Sequence, residues 1–346
     1  MSIDTDYKRG FGSDNHAGVH PEIMKALVEV DRDHAPSYGT DDVTKKATEA
    51  IRNIVGDFGV FFVFNGTAAN VLSIQSHLQS YNSIIASDIS HMNVDECGAP
   101  EKIAGVKLIP AKSIDGKLTV EEIKKHKIRM GDQHFSQVKM VSITQPTEVG
   151  TTYSLDELNE IAQFCKENNL LLHCDGTRFF NACIHLDANP KTMASYFDVI
   201  SLGGTKNGFM MGEAVLIKDH EIAKSFKFFR KQALQLPSKT RYIAAQFERY
   251  FKDDLYLDIA RSSTSMATKL SEALSGIKQL EILYPVQSNA VFAKFPREHL
   301  KAIREKYFFY VWDEVDFSVR IMTSFDSNES DISEFSKHVR QQLEDT

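Results

Sequence analysis

The chain has 346 residues, 42% of them hydrophobic, which is enough for a large core and for two domains. Its formal net charge is −7 and it holds no Lys/Arg block, which argues against nucleic acid as a partner. No apolar run approaches the roughly 18 residues of a membrane helix, and residues 1–10 are polar, so neither a membrane partner nor a secretory signal is expected. The four cysteines, Cys97, Cys165, Cys174 and Cys183, show no CxxC spacing. They suit reduced thiols in a cytoplasmic protein better than a disulfide framework or a metal site.

The segment before about residue 47 is rich in Asp, His and Gly and is expected to wrap over a large domain. Residues 61–64 read as a strand and 68–78 as the helix after it. Strands are expected over 83–86 and 106–109, then a helix over 119–126 with Glu121 and Glu122 in its first turn. A strand over 138–143 precedes a helix over 154–168, which opens on Ser154 with Glu157 three residues later, a capping box. Strands over 170–175, 199–202 and 214–217 continue the alternation. Strands and helices of these lengths argue for an α/β fold, a mostly parallel sheet sandwiched by helices. After residue 218 the pattern changes. Helical stretches over 220–235, 240–251 and 257–274 precede strands over 290–293, 308–311 and 317–321 and a last helix over 332–343. This reads as a small C-terminal α+β domain. The expected division is an N-terminal segment 1–46 packing on a large domain 47–238, followed by a small domain 239–346.

Two strand ends carry chemistry. The strand over 170–175 ends on Asp175, and the strand over 199–202 leads into Gly203-Gly204-Thr205-Lys206-Asn207-Gly208. Pyridoxal phosphate needs such a pair. The amine forms a Schiff base with the cofactor aldehyde, and the carboxylate keeps the pyridinium nitrogen protonated so that the ring accepts electrons. Taken singly, a lysine is usually a solvated surface group and an Asp after a strand a helix cap. Asn65-Gly66-Thr67-Ala68 opens a helix after a strand. There the first-turn N–H groups and the Thr67 hydroxyl can hold a phosphate, or the residues simply cap the helix. His91 follows the strand over 83–86, where an imidazole can stack on a pyridine ring, and Glu96 can orient it. Arg178 lies three residues after Asp175 and can clamp a carboxylate bidentately; Arg320, between Val319 and Ile321, needs an anionic partner if buried. A structural salt bridge is the alternative for both arginines. No GxGxxG follows a strand, which leaves little for NAD.

Taken in order, these segments resemble the low-specificity L-threonine aldolases, within the β-eliminating lyase group of fold-type I pyridoxal phosphate enzymes. The resemblance is carried by Gly12-Ser13-Asp14-Asn15, Ser37-Tyr38-Gly39-Thr40-Asp41, Asn65-Gly66-Thr67-Ala68-Ala69-Asn70, His91 with Glu96-Cys97-Gly98, His173-Cys174-Asp175-Gly176-Thr177-Arg178, Lys206 and Val319-Arg320. It implies a seven-stranded, mostly parallel sheet in the large domain and pyridoxal 5'-phosphate as cofactor. Lys206 would bear the cofactor, Asp175 would bind its nitrogen, His91 would stack on its ring, and Gly66 and Thr67 would hold its phosphate. Ser13, Arg178 and Arg320 would hold the substrate carboxylate, with Arg178 also beside the cofactor. His134 matches a family histidine that handles the substrate hydroxyl. Tyr38 lies in a loop that reaches a neighbouring subunit's substrate site, which implies a homo-oligomer, dimer or tetramer, with sites at the interface.

Two segments depart from the family. Gly-rich runs are replaced by Asn207-Gly208-Phe209-Met210-Met211-Gly212 and by residues 230–239. In the second, Lys239 or Arg241 takes the place of the arginine that crosses to the partner's phosphate. Phe209, Met210 and Leu236 are bulkier than Gly, which leaves the substrate side chain open, from threonine and allo-threonine to phenylserine-like amino acids. The implied reaction is carbon–carbon cleavage of an L-3-hydroxy amino acid to glycine and an aldehyde, with His91 or His134 as base. The rivals are β-elimination or another reaction of an amino acid on the same cofactor, and a non-catalytic scaffold on the same fold.

Overall fold

The structure is a computed structural model that describes residues 9–344. The first eight residues of the expected N-terminal segment and the last two of the chain lie outside the described residues. Seven strands form one sheet: β1 (Gly59–Val63), β2 (Asn82–Ser87), β3 (Lys107–Ala111), β4 (Gln137–Thr144), β5 (Leu171–Gly176), β6 (Val199–Leu202) and β7 (Glu213–Ile217). Their order is β1-β7-β6-β5-β4-β2-β3. The run β6-β5-β4-β2-β3 is parallel, and β7 is antiparallel to both of its neighbours. The sheet is therefore mostly parallel, as the alternation of elements predicts.

Its central strands are buried along nearly their whole length because helices cover both faces. Successive residues alternate between the two faces. Phe62, Val141, Leu172, Ile200 and Leu216 meet helices Asp42–Val55, Leu155–Glu167 and Thr240–Phe251. Val63, Met140, Val199, Val215 and Ile217 meet helices Gly66–Gln75 and His220–Gln232. The helix over Leu155–Glu167 starts where its capping box predicts: Ser154 Oγ accepts the Glu157 N–H (3.2 Å) and the Glu157 carboxylate accepts the Ser154 N–H (2.7 Å).

A second, antiparallel sheet has the order β10-β11-β9-β8, with β8 (Glu281–Ile282), β9 (Ala290–Lys294), β10 (Tyr310–Val311) and β11 (Ser318–Met322). Helices Leu255–Ser275, Arg297–Lys306 and Glu329–Glu344 cover it around Leu270, Val291, Ile303, Val319 and Phe335. This is the smaller C-terminal unit. Helix Arg297–Lys306 was not expected from the sequence. Only Leu300 and Ile303 are buried in that charged stretch, too few apolar positions for a periodic signal. Helix Pro21–Val30 was likewise hidden, in a segment expected only to wrap.

The N-terminal segment touches both units. Phe11 enters the small core, donating its N–H to the Phe308 carbonyl (2.7 Å) and accepting from the Met322 N–H (2.8 Å). Ile23 enters the large one. Helix Thr240–Phe251, just past the expected boundary at residue 239, buries Ile243, Ala244 and Phe247 in the large core.

Candidate active site

In register, Thr144 pairs with Asp175 and Asp175 with Ser201, so β4, β5 and β6 end at one level. Ligands of open α/β sheets bind at such carboxyl ends. A cavity of about 540 Å³ lies there, and it closes against Tyr310, Trp312 and Arg320 of the small sheet. Of the residues singled out by the sequence, Ser13, Gly66, Thr67 and His91 line it, together with Asp175, Arg178, Lys206 and Arg320. Tyr38, His134 and Lys239 do not. His134 is exposed in the turn before β4, at the amino end of the strand whose carboxyl end reaches the cavity. Tyr38 is 51% exposed, and its N–H bonds the carbonyl of Ser238, next to Lys239.

Lys206 sits in the short turn Thr205–Asn207 after β6. Gly203 and Gly204 make that turn possible: a β-carbon on Gly203 would overlap the Thr177 carbonyl, and one on Gly204 the Gly212 carbonyl. The amide of Asn207 ties the turn to Thr177 (3.0 Å) and Gly203 (3.1 Å). Burial, then the Arg178 charge, hold the Lys206 amine below the ordinary lysine range.

Asp175 is 4% exposed. Its Oδ1 accepts from the Thr177 N–H (3.1 Å) and hydroxyl (2.6 Å), and its Oδ2 from the Asn70 amide (2.9 Å). Burial pushes the carboxyl up, but these hydrogen bonds and the His91 charge more than offset it, so it stays ionised. Asn70 comes from helix Gly66–Gln75, whose first turn is capped by Asn65 Oδ1 on the Ala68 N–H (2.9 Å). The same Asn70 amide bonds Glu96 Oε1 (2.9 Å), which also meets His91 Nδ1 (2.9 Å). Through that bond Glu96 raises the His91 pKa.

The two arginines differ. Arg178 donates from Nε (2.7 Å) and Nη2 (3.0 Å) to the two oxygens of Asp14, which Asn289 also bonds (3.1 Å). The fork expected to clamp a ligand carboxylate is therefore already filled from within the chain. Burial would raise the Asp14 carboxyl, but Arg178 holds it below its ordinary value. Arg320 has a buried Nε with no partner and one long contact, Nη2 to the Gly12 carbonyl (3.4 Å). Its guanidinium lies over Trp312 (5.3 Å) and Tyr310 (5.6 Å).

Among the cavity carboxyls that sequence reasoning missed, Glu148 and Glu213 are each pushed by burial up to about 7. That reasoning also misplaced Phe209, which turns into the core between Phe247 (4.8 Å) and Tyr250 (5.1 Å). Met211 lines the cavity instead, and Met210 lines an apolar cavity beside it.

The family profile described as beta-eliminating lyase matches residues 10–297. A low specificity L-threonine aldolase of Pseudomonas sp. is 39% identical over 340 residues, 97% of this chain and 98% of that protein. The solved threonine aldolase of Leishmania major superposes with a TM-score of 0.92 at 28% identity, covering 96% of this chain and 99% of that one. Cystalysin from Treponema denticola shares the fold at 15% identity, with a TM-score of 0.72 over 99% of this chain and 93% of its own. The chain belongs to the β-eliminating lyase family.

Proposed function

We propose that the protein is a pyridoxal-phosphate-dependent aldolase that cleaves L-3-hydroxy amino acids, such as L-threonine and L-allo-threonine, to glycine and an aldehyde. The observation that carries this reading is the meeting, in one cavity, of a buried Lys206 amine, an ionised Asp175 and an arginine, Arg320, with an empty donor. When bound, the cofactor supplies an electron-accepting ring joined to the substrate amine. The residues fit that group. Lys206 offers an amine to its aldehyde, and Asp175 accepts a hydrogen bond from a protonated ring nitrogen. Gly66 and Thr67 present the start of a helix to its phosphate, where a β-carbon on Gly66 would meet nothing within 4 Å. His91, fixed by Glu96, would stack on its ring. Arg320 takes the amino acid carboxylate, with Ser13 nearby, and so sets which Cα bond is aligned for cleavage. Arg178, held by Asp14, lends charge rather than a free fork.

We place the junction between the units in helix Leu255–Ser275, whose Tyr256, Ile259 and Ala260 join the large core and Met266, Leu270 and Leu274 the small one. A homo-oligomer, dimer or tetramer, accounts for the residues left outside. Phe64 and Met211 line both the active cavity and an apolar cavity of about 720 Å³ that holds Lys239. A neighbouring copy seated there would bring its own Tyr38 and Lys239 towards this site, and His134 reaches a cavity only from another copy. Among the described residues no helix is long and apolar enough to cross a membrane, and the four cysteines are unpaired, which suits a cytoplasmic location.

The test is product analysis of the cofactor-loaded protein with threonine, allo-threonine, phenylserine and serine. Glycine with acetaldehyde or benzaldehyde is expected, and Lys206→Ala should drop to background while remaining folded. Pyruvate from serine as the main product would move the protein to β-elimination. Aldehyde release that survives in Lys206→Ala would sink the reading.

A further inference from the structure

Glu148 follows β4 and the turn through Pro146, and its carboxyl enters the cavity beside His91. One oxygen is spoken for: Oε1 accepts the backbone N–H of His91 (3.0 Å) and the hydroxyl of Thr144 (2.6 Å). The other, Oε2, is buried with no hydrogen-bond partner. Such an oxygen is costly to leave bare, and native proteins do so at only a few positions. We propose that Glu148 Oε2 accepts the proton of the substrate's 3-hydroxyl group and is a catalytic residue of the cleavage, an inference that rests on the aldolase reading above.

Three other cavity groups are already engaged, while Glu96, whose Oε2 is also bare, spends its other oxygen on holding His91 and Asn70. Asp175 is spent on Thr177 and Asn70, and Glu213 on the Gly204 N–H (2.5 Å). His91 uses Nδ1 on Glu96, and that bond keeps the ring charged to higher pH than an ordinary histidine, which favours a proton donor over an acceptor. His134 lies outside the cavity. The groups facing Glu148 are His91, Thr144, Tyr153, Asp175 and Arg178. Burial lifts its carboxyl to about 7 against the Thr144 and His91 hydrogen bonds, with Asp175 adding to the rise. A base poised there is matched to neutral pH.

The step balances without an oxidant. The hydroxyl O–H bond breaks and its proton goes to Glu148 Oε2. The C–O bond becomes the aldehyde C=O as the Cα–Cβ bond breaks, and that electron pair stays with Cα. One proton delivered to Cα completes glycine and restores the proton count.

Glu148→Gln keeps an oxygen for His91 and Thr144 but cannot take up a proton. Cleavage of threonine or phenylserine should fall about 100-fold or more in kcat. Exchange of the glycine α-proton with deuterated water, followed by NMR, involves no hydroxyl and should stay within about threefold of the parent. The fall in kcat below about pH 7 should vanish in the variant's residual activity. Glu148→Asp, which retains a carboxylate, should recover at least about tenfold over the Gln variant. Near-normal cleavage by Glu148→Gln would overturn the proposal, as would equal loss of cleavage and exchange, or no recovery in the Asp variant. A parent that exchanges glycine but releases no aldehyde from any 3-hydroxy amino acid would instead overturn the aldolase reading and this assignment with it.

Discussion

Arg178 and Arg320 enter one cavity from opposite sides, the first after β5 of the large sheet and the second from β11 of the small one. Arg178 is fully matched by Asp14, a bidentate pair with side-chain exposures of 20% and 1%. Arg320 is held by two aromatic faces and one long contact, and its Nε is bare. The same side chain thus does two jobs. A matched buried cation is part of the frame, and an unmatched one is a seat for an anion that comes and goes. The wider walls repeat the contrast. On the large-domain side Asp175, Asn70, Glu96 and His91 are linked in one continuous chain of hydrogen bonds. On the small-domain side no carboxylate is bonded to Arg320 among the described residues.

The sharpest way to break this comparison is Asp14→Asn. It takes from Arg178 its directly bonded counter-charge and leaves only the more distant Asp175 and Glu148, and breaking such a pair costs about 3–5 kcal/mol. Denaturant titration at neutral pH should show that loss. Because Arg178 holds the Asp14 carboxyl below its ordinary 3.8, the pair stabilises the fold above that pH and its contribution fades as the pH falls further. The variant should therefore lose this part of the acid limb. A change below about 1 kcal/mol would mean that Arg178 is not frame but seat.

Arg320→Leu should do the reverse. Removing an anion's partner in a desolvated site costs about 2–5 kcal/mol of binding, so kcat/KM for the amino acid should fall by roughly 30-fold to a few thousandfold. Stability should hold or rise slightly, since burial already works against the Arg320 charge and the Arg178 charge adds to it. Destabilisation as large as that of Asp14→Asn would erase the difference between the two arginines.

Much of this frame was legible before any coordinates. Strands betray themselves by apolar runs, and a capping box such as Ser154 with Glu157 marks a helix start within one residue. Residues at strand ends, Asp175 and Lys206, are placed together by the topology those runs imply. What could not be read is which distant residues fill the gaps. Asp14 meets Arg178 across 164 positions of sequence, and nothing near Asp14 hints at it. Glu148 and Glu213 look like ordinary solvated carboxylates until β2, β4 and β6 close around them. Phe209 misled for a related reason. A bulky residue in place of Gly beside a candidate lysine suggests a side chain that shapes the substrate's place, yet the ring packs in the core against Phe247.

Glu213 gives the smallest and cleanest test, because on the large-domain wall it is a buried carboxyl bonded by backbone rather than by a cation. Burial lifts it to about 7 despite the Thr205 and Gly204 hydrogen bonds and the nearby Lys206 charge. A carboxyl whose folded value lies above its unfolded 4.5 contributes its full stability below that pH, and loses it as the pH rises through about 7. The penalty above that point is at most about 3 kcal/mol. Glu213→Gln keeps an acceptor for the Gly204 N–H and removes the titration. Thermal unfolding should then find the variant level with the parent near pH 4.5 and more stable than it at pH 8. Because Glu148 carries a rise of the same size, the loss of stability between those pH values should shrink in Glu213→Gln and shrink again when Glu148→Gln is added. Parallel curves for parent and single variant would show that Glu213 is ionised in the fold and belongs, like Asp175, to the matched charges of that wall.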